Sequence, residues 1–281
     1  MTSGPQPPDP PVPVVLDAGP PPPGLPVPAP VAAEAGAERL RAVWANELGG
    51  ATFEIGTGAR RRFVKWAAAG SGIDLAAEAA RMSWAAAFIS VPPVLAHGVD
   101  DSGSWLVTSA LPGEMAVTDR WKEQPRIAVT AIGEGLRAMH DALPADRCPF
   151  SWSAADRLRE IGERAAAGLL DPSCWHPDHQ GLSVDASLES LADPPPVDEV
   201  VVCHGDACAP NTLITDDGRC SGHVDLGALG VADRWADLAI ATWSTTWNYG
   251  PRWQVPLLDA YGIAPDAERT RYYRLLWDLG P

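Results

Sequence analysis

Alternating apolar and polar positions place strands in the first part of the chain and helices mostly after it. Residues 41–47 and 52–56 read as two strands around Leu48-Gly49-Gly50-Ala51, and residues 61–66 as a third. Residues 73–89 carry good helix formers throughout. Residues 104–110 form an apolar strand stopped by Leu111-Pro112-Gly113. Residues 126–142 predict a buried helix, with Ile127, Ile132, Leu136 and Met139 near one face. Residues 154–170 and 181–191 predict two more helices. The β-branched run 200–203 predicts a core strand, and residues 212–215 and 220–224 a hairpin closed around Asp216-Asp217-Gly218. Trp243 falls at helical spacing with Leu238 and Ala239.

The first 30 residues break this pattern, with thirteen prolines and no Lys or Arg. Proline lacks a backbone donor, so extended polyproline conformations are expected there, with residues 12–16 able to pair at a sheet edge. Residues 32–42 are helix-permissive. The 281 residues, 46% hydrophobic, can build one large domain or two packed lobes. A net charge of −15 leaves no basic face to meet nucleic acid and suits attraction of a polycation. Five irregularly spaced cysteines make no disulfide framework. No apolar run approaches a membrane span, and no basic-then-apolar leader is present, so a cytoplasmic protein without an obligate protein partner is the expectation.

The chemistry concentrates between residues 200 and 227. His204-Gly205-Asp206 is followed by Asn211 and, after the predicted hairpin, by Asp225-Leu226-Gly227. The spacing matches a kinase-type site: a carboxylate to accept a hydroxyl proton, then an amide and a second carboxylate to hold magnesium on ATP. Asp206 on its loop would face the acceptor hydroxyl, and Asn211 would turn back toward the metal with Asp225.

The stretches Val201-Val202-Cys203-His204-Gly205-Asp206, Pro210-Asn211, Val224-Asp225 and Leu229-Gly230-Val231-Ala232-Asp233-Arg234 closely resemble aminoglycoside phosphotransferases. So do Cys148-Pro149-Phe150 and the closing Tyr272-Tyr273-Arg274-Leu275-Leu276. The resemblance covers roughly Trp44 to the C-terminus. It implies an α+β, two-lobed, protein-kinase-like fold: a proline-rich segment over 1–31, a β-rich N-lobe over 32–110 and a mainly helical C-lobe over 111–281. It also implies that ATP (or GTP) and Mg2+ are used to phosphorylate a hydroxyl of a small cationic antibiotic. By motif match Asp206 is the base, and Asn211 and Asp225 are metal ligands. Gly49 and Gly50 lie in the loop over the phosphates, which lacks the family's usual serine. Lys65, the only lysine in the first 121 residues, would reach the phosphates and pair with Glu78. Backbone groups of Thr108, Ser109 and Ala110 would read the adenine edge. Asp233, Arg234 and Asp237 would form an ion-pair cluster fixing the metal loop.

The substrate half departs from the family. Trp247-Asn248 stands where many relatives carry paired acids, and Asp278 is the one acid left near the C-terminus. These three, with Asp171 and Asp178 of the loop Asp171–His179, are the expected substrate contacts. Cys174, His176, Asp178 and His179 lack a second ligand pair at matching spacing, so a loop is expected rather than a zinc site. Trp243, Trp247, Tyr249 and Trp253 form an aromatic group able to pack or to stack on a guanidinium. That favours guanidinium-bearing compounds, streptomycin-like aminoglycosides or capreomycin–viomycin-type peptides. A metabolic kinase for choline, homoserine or a sugar would share every nucleotide residue and stays open. A nucleotide-binding module without turnover is disfavoured by the intact Lys65, Asp206, Asn211 and Asp225.

Overall fold

The computed structural model describes residues 18–280 apart from 20, 23 and 47. The proposed edge pairing of residues 12–16 therefore lies outside the described residues, as do Glu47 and Pro281. The N-terminal lobe runs β1 (Ala18–Gly19), α1 (Ala29–Ala35), β2 (Leu40–Asn46), β3 (Gly50–Ile55), β4 (Arg62–Ala68), α2 (Leu75–Ala85), β5 (Val94–Asp100) and β6 (Gly103–Ser109). The C-terminal lobe continues with β7 (Glu114–Met115), α3 (Asp119–Lys122), α4 (Pro125–Ala142), α5 (Ala154–Ala166), α6 (Val184–Leu191) and β8 (Val200–Cys203). It closes with β9 (Thr212–Ile214), β10 (Cys220–His223), β11 (Gly230–Asp233), α7 (Trp235–Tyr249), α8 (Gln254–Tyr261) and α9 (Ala267–Leu279).

The N-terminal sheet is antiparallel, in the order β1-β2-β3-β4-β6-β5. Its two faces follow from strand alternation. Val64 and Val107 join Phe53 and Ile55 under α1, while Ala67 and Leu106 face α2 through Leu75, Ala79 and Met82. Lys65, between Val64 and Trp66 on β4, consequently points with Ala67 and Leu106 toward the interlobe side. The helix expected over 32–42 ends at Ala35, because Gly36 turns to φ 54° and Leu40 and Ala42 pack into the sheet core. The helix expected over 154–170 stops at Ala166, shortly before Gly168 at φ 69°.

The buried stripe of α4 runs through Ala128, Ile132, Leu136 and Met139. Ile127 departs from the expected face: it is 39% exposed, and it lies against the hairpin turn at Gly218. Gly133 and Gly135 let this helix sit close to its neighbours. A Cβ at Gly133 would meet the Leu257 carbonyl oxygen at 2.6 Å, and one at Gly135 would meet Cys220 Sγ at 2.7 Å. The second contact presses α4 onto the β9–β10 hairpin, which carries His223.

His223 is buried beside the His204 ring, whose centroid is 5.8 Å away. Burial, reinforced by His204, pushes its pKa down to about 4. An unfolded histidine titrates near 6.5. The unfolded chain therefore takes a proton that the folded chain refuses, and stability falls as pH drops from about 6.5 toward about 4. The full effect is on the order of 3 kcal/mol. Denaturant midpoints of wild type and His223→Gln across pH 7.5 to 4.5 should differ in slope, the variant losing this component. Parallel curves would contradict it.

Candidate active site

Strand β8, paired with β11, delivers the loop that begins at His204. Gly205 stands at φ 87°, with the Ala228 carbonyl oxygen only 2.3 Å from where a Cβ would go, so glycine alone fits. The backbone N–H groups of His204 and Gly205 donate to the two oxygens of Asp237 on α7, at 2.6 and 2.9 Å. His140 Nε2 reaches the same carboxylate at 3.0 Å, and His140 Nδ1 lies 2.8 Å from the Tyr261 hydroxyl. Burial works against the Asp237 charge, but the hydrogen bond and charge of His140, with help from His204 and the Gly205 amide, hold its pKa below the usual range. The His204 ring accepts from Asp206 N at Nδ1 (3.2 Å) and donates from Nε2 to the Val224 carbonyl (2.9 Å). The His204 ring thus stitches the Asp206 loop to the residue before Asp225.

Asn211 Nδ2 donates to the carbonyl oxygen of Asp206 at 2.9 Å and to its Oδ2 at 3.0 Å. This leaves the amide oxygen of Asn211 free for another partner. Asp206 Oδ1 is buried without a hydrogen-bond partner. Burial first, and the nearby Asp225 charge second, raise the Asp206 pKa. Asp225 is the one non-glycine among the described residues at positive φ, 65°. A non-glycine residue held there costs on the order of 1–3 kcal/mol, a strain that clusters at functional positions.

Lys65 Nζ lies 2.6 Å from Glu78 Oε1 and 2.6 Å from Asp225 Oδ1. Burial disfavours the ammonium, but the two carboxylates overrule it and raise its pKa. Asp225 is held below its ordinary value by Lys65. Burial raises Glu78 against the pull of the same lysine.

Lys65, Glu78, Ser109, Ala110, Asn211 and Asp225 all line one interlobe cleft of about 400 Å³, with Trp44, Met82 and Leu106 as apolar wall. Asp206 adjoins it through Asn211. The N–H groups of Ser109 and Ala110 are bonded to the carbonyls of Pro93 (2.9 Å) and Arg61 (3.1 Å), although both residues line the cleft. Just beyond them, the N–H groups of Leu111 and Gly113 have no partner among the described residues. Gly49 and Gly50 do not line the cleft, and Gly50 N donates to Asn46 Oδ1 at 2.7 Å. Asn46 is a loop-organising side chain that spacing did not mark.

The expected substrate residues separate into two groups. Trp247 and Asn248 sit on the last turn of α7. Asn248 Nδ2 donates to the Ser244 carbonyl at 2.8 Å, and Ser244 Oγ accepts from Ala209 N at 2.9 Å, which ties this turn to the Asp206 loop. Trp243 and Trp247 cluster with Trp277, Ile240 and Cys208. Tyr249 and Trp253 belong instead to the main core, the Tyr249 hydroxyl donating to the Ala116 carbonyl. Asp178 is 61% exposed, and Asp171 caps its own turn through Ser173 N and Oγ. Asp278 does not face solvent or ligand. Its side chain is 7% exposed, accepting from His176 N at 2.9 Å and facing His179 Nδ1 at 2.7 Å, so it is consumed in holding the loop. A second cavity, about 710 Å³, is lined by Asp178, Asp193, Thr242, Gln254 and Arg274 and contains no residue of the Asp206 loop.

The expected Asp233–Arg234–Asp237 cluster also dissolves. Asp233 accepts from Asp198 N and Trp235 N, Arg234 pairs with Asp198 and Glu199, and Asp237 alone holds the active-site loop. Neither Cys174 nor His176, Asp178 and His179 gather as metal ligands. The one clustered set among the described residues, His140, Cys203 and Asp237, has its groups committed to Tyr261, the Asp233 carbonyl and the loop amides.

A family model described as "Phosphotransferase enzyme family" matches residues 45–273. An aminoglycoside 3'-phosphotransferase of Streptomyces fradiae is 38% identical over 216 residues, covering 73% of this chain and 80% of the relative. A streptomycin 3''-kinase of Streptomyces griseus is 35% identical over 256 residues, covering 83% and 89%. An aminoglycoside phosphotransferase of Streptomyces rimosus, solved with ADP and streptomycin, superposes with a TM-score of 0.69 at 28% identity, over 89% of this chain and 95% of that one.

Removing the Asp237 carboxylate would leave two buried N–H groups and the His140 ring without their acceptor. Asp237→Ala should cost on the order of 3–5 kcal/mol, the range for breaking a buried charged network. Guanidinium unfolding monitors it, and a wild-type midpoint would contradict the assigned clamp.

Proposed function

The chain belongs to the phosphotransferase enzyme family and transfers a phosphoryl group to a hydroxyl; on that premise we propose that it inactivates a cationic aminoglycoside, using ATP and magnesium. The observation that carries this reading is the convergence of Lys65, Glu78, Asn211 and Asp225 on one cleft, with the unpartnered Asp206 Oδ1 beside it. The residues fit a metal-bound nucleotide. The Asn211 amide oxygen and the Asp225 carboxylate are hard oxygen donors of the type magnesium takes, and Lys65 is a point charge suited to phosphate. Magnesium-bound ATP supplies the transferable group and neutralises charge on it.

The chain's own residues do the rest. Asp237 and His204 fix the loop, so Asp206 is oriented before substrate arrives. Asp206 Oδ1 accepts the proton of the acceptor hydroxyl. Its raised pKa makes it a stronger base than an exposed aspartate. Glu78 holds Lys65 in place for the phosphates. On the acceptor side, the net charge of −15 attracts a polycation, and the ring of Trp247 offers a face to a guanidinium. Streptomycin carries guanidinium groups, and the Streptomyces griseus relative matched over 83% of this chain is a streptomycin kinase. We therefore favour a streptomycin-type acceptor. The reading also makes the protein a resistance determinant acting in the cytoplasm.

The test is ADP release on presentation of streptomycin, kanamycin, capreomycin, viomycin, choline or homoserine. Turnover should be confined to aminoglycosides and highest with streptomycin. Asp206→Ala should lower it by about 10²–10⁴-fold with nucleotide binding retained. Turnover of choline or homoserine alone would overturn the acceptor class, and wild-type turnover in Asp206→Ala would overturn the base.

Long-range attraction is screened with a Debye length of about 8 Å at physiological ionic strength. The acceptor KM should therefore rise with salt while the ATP KM changes less. Equal responses would contradict charge steering of the acceptor.

A further inference from the structure

The segment from Trp175 to His179 meets α7 through two rings, His179 edge-on to Trp243 at 5.5 Å and His176, which alone makes a hydrogen bond across. Trp247 Nε1 donates to His176 Nε2 at 3.2 Å. The His176 ring also lies against Trp243 and Trp247, with centroid separations of 4.3 and 5.7 Å. Its backbone N–H is anchored by Asp278. On the other side of the aromatic cluster, Trp243 packs on Cys208, two residues past Asp206. Trp247 thus stands between the active-site loop and the 175–179 segment, and His176 is its only hydrogen-bond partner across that gap among the described residues.

The indole N–H can only donate, so His176 Nε2 must offer a lone pair. The ring is then neutral, with its proton on Nδ1, turned toward Asp178 Oδ2 at 3.4 Å. The N–H of Asp178 also approaches Nδ1, at 3.2 Å. The Nδ1–H tautomer sets its proton against the Asp178 N–H but gives it Asp178 Oδ2 as an acceptor, whereas the opposite tautomer sets an Nε2–H against the indole N–H with no acceptor in its place. A second proton on His176 does the same and opens the contact. The charged groups facing the ring are Asp178 and Asp278, which favour the imidazolium, and His179 and Arg274, which oppose it. Burial among the aromatic rings is the largest influence, and it holds the His176 pKa below the ordinary histidine value.

We propose that His176 is a positioning residue for the acceptor: its neutral imidazole latches the 175–179 segment to Trp247, and its protonation releases that wall of the acceptor site. This rests on the reading that the end of α7 borders the acceptor. Nothing in it depends on which aminoglycoside binds.

The experiment uses wild type, His176→Gln and Trp247→Phe. Glutamine offers an acceptor oxygen that does not titrate, and phenylalanine keeps a ring without the N–H. With streptomycin as acceptor and saturating ATP, wild-type acceptor KM should rise about 3–10-fold as pH falls from 7 to 5, the scale of one lost hydrogen bond. kcat should change less. His176→Gln should keep the low KM and lose this rise, and Trp247→Phe should show a raised KM at both pH values. The amines of the acceptor titrate identically in all three enzymes, so the differences isolate the latch. The second readout needs no turnover. The indole N–H resonance of Trp247, identified among the twelve tryptophans by its absence in Trp247→Phe, should titrate in the free enzyme and not in His176→Gln. An indole that does not titrate overturns the latch. One that titrates while acceptor KM follows the same pH curve in wild type and His176→Gln overturns the positioning role. If no aminoglycoside is turned over, the proposed function fails, and the indole titration still decides the latch.

Discussion

One ammonium ties the two lobes together at the cleft, beside the Arg81–Leu229 hydrogen bond and the packing of Trp84 and Arg81 on Phe150. Lys65 comes from the middle of the N-terminal sheet, Glu78 from the helix behind it, and Asp225 from the C-terminal lobe, and the three meet within 2.6 Å contacts. Glu78 is nearly buried, and a carboxylate there without a partner would be costly. Lys65 answers that cost and leaves Asp225, half exposed, as the negative charge at the cleft mouth. The lobes are therefore joined by a contact that a metal-bearing ligand must compete for. Interlobe closure and ligand occupancy share one set of charges.

Around that centre the C-terminal lobe is built for rigidity. Asp237 takes two backbone amides of the active-site loop, and His204 bridges onward to Val224. Asn211 closes the circuit, its amide nitrogen bonded to Asp206 and its backbone carbonyl accepting from Val224 N. The positive φ of Asp225 is sustained by this surrounding network. Asp206 Oδ1 is the buried oxygen of this circuit without a partner, and it is where an incoming hydroxyl would donate.

Local features were legible in the sequence. The hairpin after Asn211 follows from an Asp-Asp-Gly turn between β-branched runs, and the cleft-facing side of Lys65 follows from period-two alternation against Val64. The Lys65, Asp206, Asn211 and Asp225 set was visible because its members occur at motif spacing. What stayed hidden depends on distant partners. His204 and Asp237 are 33 positions apart, and His176 and Asp278 are 102 apart. No spacing rule announces that Asp278 is consumed by a loop amide rather than offered to a ligand. Only strand pairing shows that Ser109 and Ala110 have spent their N–H groups. His176 was weighed as a metal ligand because Cys, His and Asp are crowded around it. Its aromatic partners lie more than sixty positions away.

The central claim is that Asn211 and Asp225 hold a divalent metal on a nucleotide while Lys65 serves its phosphates. Anomalous scattering from a crystal grown with Mn2+ and a non-hydrolysable ATP analogue tests it most directly. The account predicts manganese bound by the Asn211 amide oxygen and the Asp225 carboxylate, with Lys65 Nζ moved from Asp225 to a phosphate oxygen and still paired with Glu78. Manganese held by other residues, or Lys65 remaining on Asp225 with nucleotide in the cleft, would contradict it.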